Sequence, residues 1–357
     1  LRLNFFKNIK KMKTAFITGK QKIEVGEEPM PELGVATDVL LKVEIVGVCG
    51  SDIHYYKEGR IGKQIIKYPA TIGHECAGTI VEVGAEVKNV ALGQKVAVDP
   101  AITCGECDQC LAGRSHTCRN LKFMGNPGET HGVLCEYIVL PAKNCYPIPD
   151  SMTLDQAAFV EPLSIGYYAA SLAGSVSGKT IVVLGSGPIG LSTLMSLRIN
   201  NPAKIFVTDL FENRLKAARQ CGADWTGIPT RQDVVSEILQ QQPLGIDYVF
   251  ECAGEHKTLD QAIAMLKPGG TLIIIGIPRG DRVNLSIDKM RRKELRLINV
   301  RRQNDCVDPA IDLIAHQKIN INPLITHHFS FDEIKKAFQL FAGYKDGVIK
   351  AVIHLSA

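Results

Sequence analysis

No apolar run in these 357 residues approaches the roughly 20 needed to cross a bilayer, so no membrane partner is expected. Basic residues are not gathered into a stripe either. The 41 lysines and arginines stand against 37 acidic residues, a formal charge of +4, and nucleic acid is not an expected partner. The first eleven residues carry lysines but no apolar stretch of the kind a signal peptide needs. Met12-Lys13-Thr14-Ala15-Phe16 is the more natural opening, which makes residues 1–11 an expected extension. A disulfide framework is also missing: the cysteines number 11, an odd count, and four of them crowd into one short loop. That distribution suits metal binding in a reducing compartment, and the cytoplasm is the expected location.

The remaining composition is that of a globular protein, 45% hydrophobic and 22% charged, and the length allows two domains with real cores. Residues 12–160 mix short apolar runs with alternation, as in Val39–Val46 and Gly78–Val83, punctuated by Gly34, Gly62, Gly84 and Gly93. An all-β, barrel-like lobe is predicted there. From residue 161 the pattern changes. Ile181-Val182-Val183-Leu184 is a continuous apolar run, as in a parallel strand buried on both faces. Helical periodicity follows over Ile189, Leu191, Leu194, Met195 and Leu197, and strands then alternate with helices as far as Leu272–Ile275. Residues 161–299 are therefore read as a doubly wound parallel sheet, making the fold class α/β. The tail 300–357 is too short for a domain and is expected to return and complete the first lobe. Within it, Ser330 and Glu333 predict a capping box at a helix start.

Three groups of residues carry chemistry. Cys49 is followed 25 residues later by His74-Glu75, a thiolate, an imidazole and a carboxylate that can bind zinc with the fourth position open, as in a catalytic site. Cys104, Cys107, Cys110 and Cys118 form a second set with C-x2-C-x2-C-x7-C spacing. Four thiolates close a tetrahedral zinc site and leave no room for substrate, so its role is predicted to be structural. A zinc ribbon that reads nucleic acid would need a separate second CxxC pair and basic surroundings, which are missing. The third group is Gly185-Ser186-Gly187-Pro188-Ile189-Gly190, a G-x-G-x-x-G that leaves a predicted strand and opens a helix. Asp209 ends the next strand, 24 residues after Gly185. The glycines admit a pyrophosphate to a helix N-terminus, and Asp209 can accept the adenosine ribose hydroxyls while repelling a 2′-phosphate. NAD is favoured over NADP.

Ser51 and His54 place a hydroxyl and an imidazole just after Cys49. An alcohol must lose its hydroxyl proton before hydride can leave, and the two side chains offer a path for that proton. The alternative for His54 is a surface histidine beside Tyr55 and Tyr56. Glu161 opens Glu161-Pro162-Leu163-Ser164, where it either caps a helix or reaches the metal.

From residue 13 onward the chain resembles the zinc-dependent medium-chain alcohol dehydrogenases, and among them the sorbitol/xylitol (polyol) dehydrogenase branch. The resemblance rests on Cys49-Gly50-Ser51-Asp52-Ile53-His54-Tyr55, Gly59-Arg60-Ile61-Gly62, Gly73-His74-Glu75, Glu161-Pro162-Leu163-Ser164 and Pro323-Leu324-Ile325-Thr326-His327. It implies a GroES-like catalytic domain (12–160 with 300–357), a Rossmann domain (161–299) and two zinc ions per chain. It implies that Cys49, His74 and Glu75 are the catalytic zinc ligands, with water or Glu161 completing the set, and that Ser51 and His54 are the proton relay. Asp209 and Arg214 fall where the family holds the adenosine ribose. Ile275-Gly276-Ile277 falls where the backbone passes the nicotinamide, and Tyr55, Phe123, Glu161 and Arg301 fall at polyol-contacting positions. A homotetramer is also implied. One departure is Arg302, where sorbitol dehydrogenases usually carry an aromatic residue. Paired with Arg301 it suits an anionic sugar acid or polyol phosphate, or else it contacts cofactor or another subunit. Threonine and butanediol dehydrogenases of the same superfamily, and a cofactor-binding protein without turnover, are the remaining alternatives.

Overall fold

The computed structural model describes residues 10–278, 280 and 282–355. They divide into two compact units, one holding 10–107, 118–161 and 327–355, the other Asp108–Thr117 and Pro162–Thr326. Among the described residues no helix is long and apolar enough to cross a membrane.

The first unit is built on a seven-stranded sheet whose strands pair antiparallel around Asp38–Gly47. Its strands run in the order Cys145–Pro147, Lys95–Val98, Glu75–Val83, Asp38–Gly47, Lys350–His354 and Ile325–Ser330, with Tyr137–Pro141 also paired to Asp38–Gly47. A separate hairpin joins Lys11–Gly19 to Lys22–Pro29. Asp38–Gly47 is the central strand, and Val39, Leu41, Val43 and Val46 bury themselves among Ile17, Ile80, Val96 and Phe338. C-terminal residues thus enter the middle of a sheet begun by the N-terminal ones: Val352, Ile353 and His354 pair with Gly47, Val46 and Ile45. This register brings side chains from both ends of the chain to one neighbourhood. The capping box predicted from Ser330 and Glu333 is present, opening a short 3-10 turn before the helix Ile334–Ala342.

The second unit contains a six-stranded parallel sheet in the order Trp225–Gly227, Lys204–Thr208, Thr180–Leu184, Ile246–Glu251, Leu266–Ile274 and Arg296–Asn299. Counted along the chain that is 3-2-1-4-5-6, the doubly wound order, with its switch point between the first and fourth strands. Ile181, Val182, Val183 and Leu184 are wholly buried, as a strand covered on both faces requires. Two of these strands carry little signal in the sequence. Trp225–Gly227 is three residues long, and Arg296–Asn299 is an edge strand with three of its four residues exposed. The helix Val234–Gln241 is equally faint, since only Val234 and Ile238 are buried on it.

Candidate active site

Cys49 stands at the N-cap of the helix Gly50–Glu58, and His74-Glu75 lead into the strand Glu75–Val83. Their sulfur, nitrogen and carboxylate ligand atoms lie within 4.8 Å of one another. The sheet register sets Glu75 opposite Gly47. A Cβ at Gly47 would strike Glu75 Oε2, so the glycine leaves the space that the carboxylate fills.

Two buried charged groups brace this trio. Asp52 takes the N–H of Cys49 on Oδ2 at 2.9 Å, while its Oδ1 lies 3.6 Å from His74 Nδ1. With Nδ1 turned to a carboxylate, Nε2 is the nitrogen left for a metal, the usual arrangement of a ligating histidine. Burial pulls the His74 pKa down, but the Cys49 sulfur and the Asp52 carboxylate outweigh it and hold the imidazole well above its ordinary value. On the other side, Lys350 Nζ donates to both oxygens of Glu75, at 2.8 and 2.6 Å, and to the Val48 carbonyl at 3.1 Å. Both side chains are 2% exposed, so each charge depends on the other. Burial lowers the Lys350 pKa, yet Glu75 and Cys49 more than restore it, leaving the amine above its usual value.

Glu161 is buried in the first turn of the helix Val160–Ser171, inside the helix rather than at its cap. It is not one of the three atoms within 4.8 Å of each other. Burial pushes its carboxyl up to about 7, against the opposing pull of His74 and Lys350, so its charge is sensed by the same groups. Ser51 and His54 are half-buried on the helix Gly50–Glu58, one turn apart and so on one face. Tyr55, buried on that helix, donates its hydroxyl to Gln64 Oε1 at 3.2 Å. The Phe123 ring packs against the His74 imidazole, with centroids 5.2 Å apart.

The four-cysteine loop gathers Cys104, Cys107, Cys110 and Cys118 with all sulfurs within 4.8 Å. The sulfurs of Cys104 and Cys107 lie 3.4 and 3.9 Å from that of Cys118. Four sulfurs about 2.3 Å from one zinc ion would stand about 3.8 Å apart, so the loop fits a tetrahedral ion. Backbone N–H groups of Glu106 and Cys107 lower the Cys104 pKa, favouring the thiolate that binds metal.

In the second unit the glycine loop leaves Thr180–Leu184 and opens the helix Pro188–Arg198, with Gly187 at the N-cap and Pro188 at the first helical turn. Gly185 has φ +93, and a Cβ on Gly190 would strike the Gly185 carbonyl oxygen. Only glycine fits at either place. Asp209 directly follows the neighbouring strand Lys204–Thr208; its Oδ2 accepts the Ser186 N–H at 2.7 Å and lies 3.8 Å from Arg214, while Oδ1 accepts the Phe211 N–H at 3.0 Å. The buried Glu251 organises the other side of the switch point. Its Oε1 accepts from Ala253, Gly254 and Thr258, and its backbone oxygen accepts the N–H groups of Ile275 and Gly276. Ile277, next along, is exposed. A glycine turn at a helix N-terminus beside a strand-end acid fits a dinucleotide. Arg301 is exposed in the same unit, and Arg302 beside it is half-buried with φ +54.

Residues 35–150 match the family described as "Alcohol dehydrogenase GroES-like domain", and residues 188–316 match "Zinc-binding dehydrogenase". A sorbitol dehydrogenase of Arabidopsis thaliana is 36% identical over 92% of this chain and 91% of its own length. The chain belongs to the zinc-dependent medium-chain alcohol dehydrogenase family. It is an enzyme of the oxidoreductase class. An L-idonate 5-dehydrogenase of Vitis vinifera is 33% identical over 92% of this chain and 91% of its own length. An Escherichia coli oxidoreductase of unknown specificity superposes with TM-score 0.92 at 31% identity, over 98% of this chain and all of that one.

Four residues in this dehydrogenase escaped the sequence reading. Asp52 carries a faint signal, three residues after Cys49 in capping-box spacing. Gly47 and Glu251 are unremarkable by position. Lys350 has no local signal at all, because its partner is 275 residues away.

Proposed function

We propose that the chain oxidises a secondary alcohol of a polyol or sugar derivative to the ketone, with NAD as acceptor and a catalytic zinc ion held by Cys49, His74 and Glu75. The observation that carries this reading is the convergence of three donors of zinc type, braced by Asp52 and Lys350, with Ser51 and His54 on the adjoining helix. When bound, zinc supplies a Lewis acid that lowers the pKa of an alcohol hydroxyl, and the nicotinamide accepts the hydride. Asp52 orients His74, and Lys350 holds the Glu75 carboxylate in place and offsets its buried charge. Ser51 would accept the hydroxyl proton as it gives up its own, and that proton would pass by way of the cofactor ribose to His54 and solvent. Glu161, Tyr55 and Phe123 line the alcohol. The turn from Gly185 to Gly190 receives the pyrophosphate, Asp209 with Arg214 the adenosine ribose, and Ile275-Gly276-Ile277 the nicotinamide. The four-cysteine loop holds a second, structural zinc. The family supports a homotetramer, and the cysteine usage supports the cytoplasm.

A second reading concerns the substrate's charge. Arg301 and Arg302 are adjacent, and one relative acts on L-idonate, a sugar acid. Two guanidiniums favour an alcohol that also bears a carboxylate or phosphate. A panel of sorbitol, xylitol, inositols, sugar acids, polyol phosphates, threonine and butanediol, read by NADH absorbance, separates the readings. Turnover of a neutral polyol at the highest kcat/KM supports the first, and of an anionic sugar derivative the second. Threonine or butanediol as best substrate overturns both, and an inert panel favours a protein without turnover. In the same assay Asp209→Ala is expected to narrow the NAD preference over NADP by about tenfold or more, as a like-charge clash is removed. An unchanged preference removes Asp209 from the cofactor site.

A further inference from the structure

A third group of metal-ligating side chains lies in the first unit, and none of its members belongs to the sets described above. His328 stands on the strand Ile325–Ser330, His354 ends the adjacent strand Lys350–His354, and Asp155 lies in the first turn of the helix Leu154–Ala158. His328 Nδ1 is 3.1 Å from His354 Nε2, which is 3.5 Å from Asp155 Oδ1. The three ligand atoms lie within 4.8 Å of one another.

We propose that Asp155, His328 and His354 form a further zinc site on the first unit. Two of the separations, 3.1 and 3.5 Å, are close to what a small ion requires: nitrogen and oxygen ligands about 2.0–2.2 Å from a tetrahedral zinc stand about 3.3–3.6 Å apart. The donor set is also right. Two imidazoles and one carboxylate suit a borderline divalent ion, and their single negative charge partly neutralises it. Asp155 Oδ1 supplies a separate indication, because it is screened from solvent yet accepts no hydrogen bond among the described residues. A hydrogen bond between the two rings accounts for the 3.1 Å separation, while that oxygen faces His354 Nε2 at 3.5 Å without a hydrogen bond. His328 is exposed and His354 half-exposed, so water completes the coordination and the ion exchanges with solvent. The site ties the sheet edge to a helix more than 170 residues earlier, so zinc there stabilises the fold.

The test is a calorimetric zinc titration of the tag-free enzyme, already loaded at its other sites and freed of loose metal by gel filtration. One further equivalent is expected to bind in the micromolar range and to raise the melting temperature. His328→Ala and His354→Asn are each expected to weaken that event by more than about tenfold, the least a lost ligand should cost when orienting residues alone cost as much. Asp155→Asn weakens it too. His328 is exposed, so its variant keeps the fold, as near-ultraviolet circular dichroism checks. Cys49→Ala retains the event, which separates this site from the catalytic set. The proposal is overturned if the loaded wild type takes up no further zinc, or if uptake is undiminished in both histidine variants.

Discussion

The two zinc centres inferred for the dehydrogenase are built in opposite ways. The four-cysteine loop is local: all its donors come from residues 104–118, and backbone N–H groups of the loop itself turn toward the sulfurs, as Cys104 N toward Cys118 Sγ at 3.4 Å. The Cys49 centre is assembled from distant segments. A helix cap supplies the thiol, a strand start supplies His74 and Glu75, and the last strand supplies Lys350. The local centre uses four like donors from a single loop. The assembled one uses three different donors and two buried partners, Asp52 and Lys350, and three ligands would leave a zinc ion a fourth position for water, Glu161 or substrate. A closed set of soft thiolates holds a structural ion tightly, whereas an open, charged and buried set can polarise an alcohol.

That contrast breaks most sharply at Cys49. Cys49→Ala is expected to lower kcat/KM by roughly 10³-fold or more, the several kcal/mol that a Lewis acid contributes, without loss of the near-ultraviolet circular dichroism of the folded chain. Full turnover in this variant would sink the catalytic assignment. Next in size is Lys350→Met, which strands the Glu75 carboxylate in a 2% exposed setting. Denaturant unfolding of the zinc-stripped protein should show a loss of about 3–5 kcal/mol, largely recovered when Glu75→Gln is added. A loss that the second substitution does not restore would mean that packing, not charge, ties Lys350 to the centre.

At the local centre the signature reverses. Cys107→Ser should remove one zinc per chain by elemental analysis while the folded enzyme keeps most of its kcat. Its stability cost is about 2.7 kcal/mol when free zinc stands a hundredfold above the dissociation constant. Equal loss of kcat and zinc would place this loop in the chemistry and dissolve the comparison. The smallest effect is expected at Asp52→Asn, which keeps an acceptor for the Cys49 N–H but removes the charge facing His74. Zinc affinity of the Cys49 centre, read by chelator competition, should fall about 10–100-fold. An unaltered affinity would reduce Asp52 to a helix cap.

How far each part was legible follows from the distance over which it is encoded. The cysteine spacing, the glycine loop between strand and helix, and the alternation of strands with helices all repeat or cluster within about 25 residues, so pattern and turn chemistry expose them. Trp225–Gly227 and Arg296–Asn299 were not legible, because short or edge strands bury too little to impose a pattern. The approach of Cys49 to His74-Glu75 was suggested by their donor types and strengthened by the resemblance, since nothing in a 25-residue gap by itself dictates where the chain returns.

By itself, then, the sequence determined the two kinds of sheet, the closed sulfur loop, the phosphate turn and the chemical identity of every donor. These depend on side-chain type and on spacings that the backbone geometry of a turn, strand or helix converts directly into position. Tertiary structure alone decided which donors acquire partners. Lys350 reaches Glu75, and His354 reaches His328 and Asp155, because the last strand pairs beside Asp38–Gly47 in one particular register. A slip of one residue would turn each of these side chains to the opposite face of the sheet. No local pattern encodes that register. It is set by burial of Ala351 and Ile353 in the core.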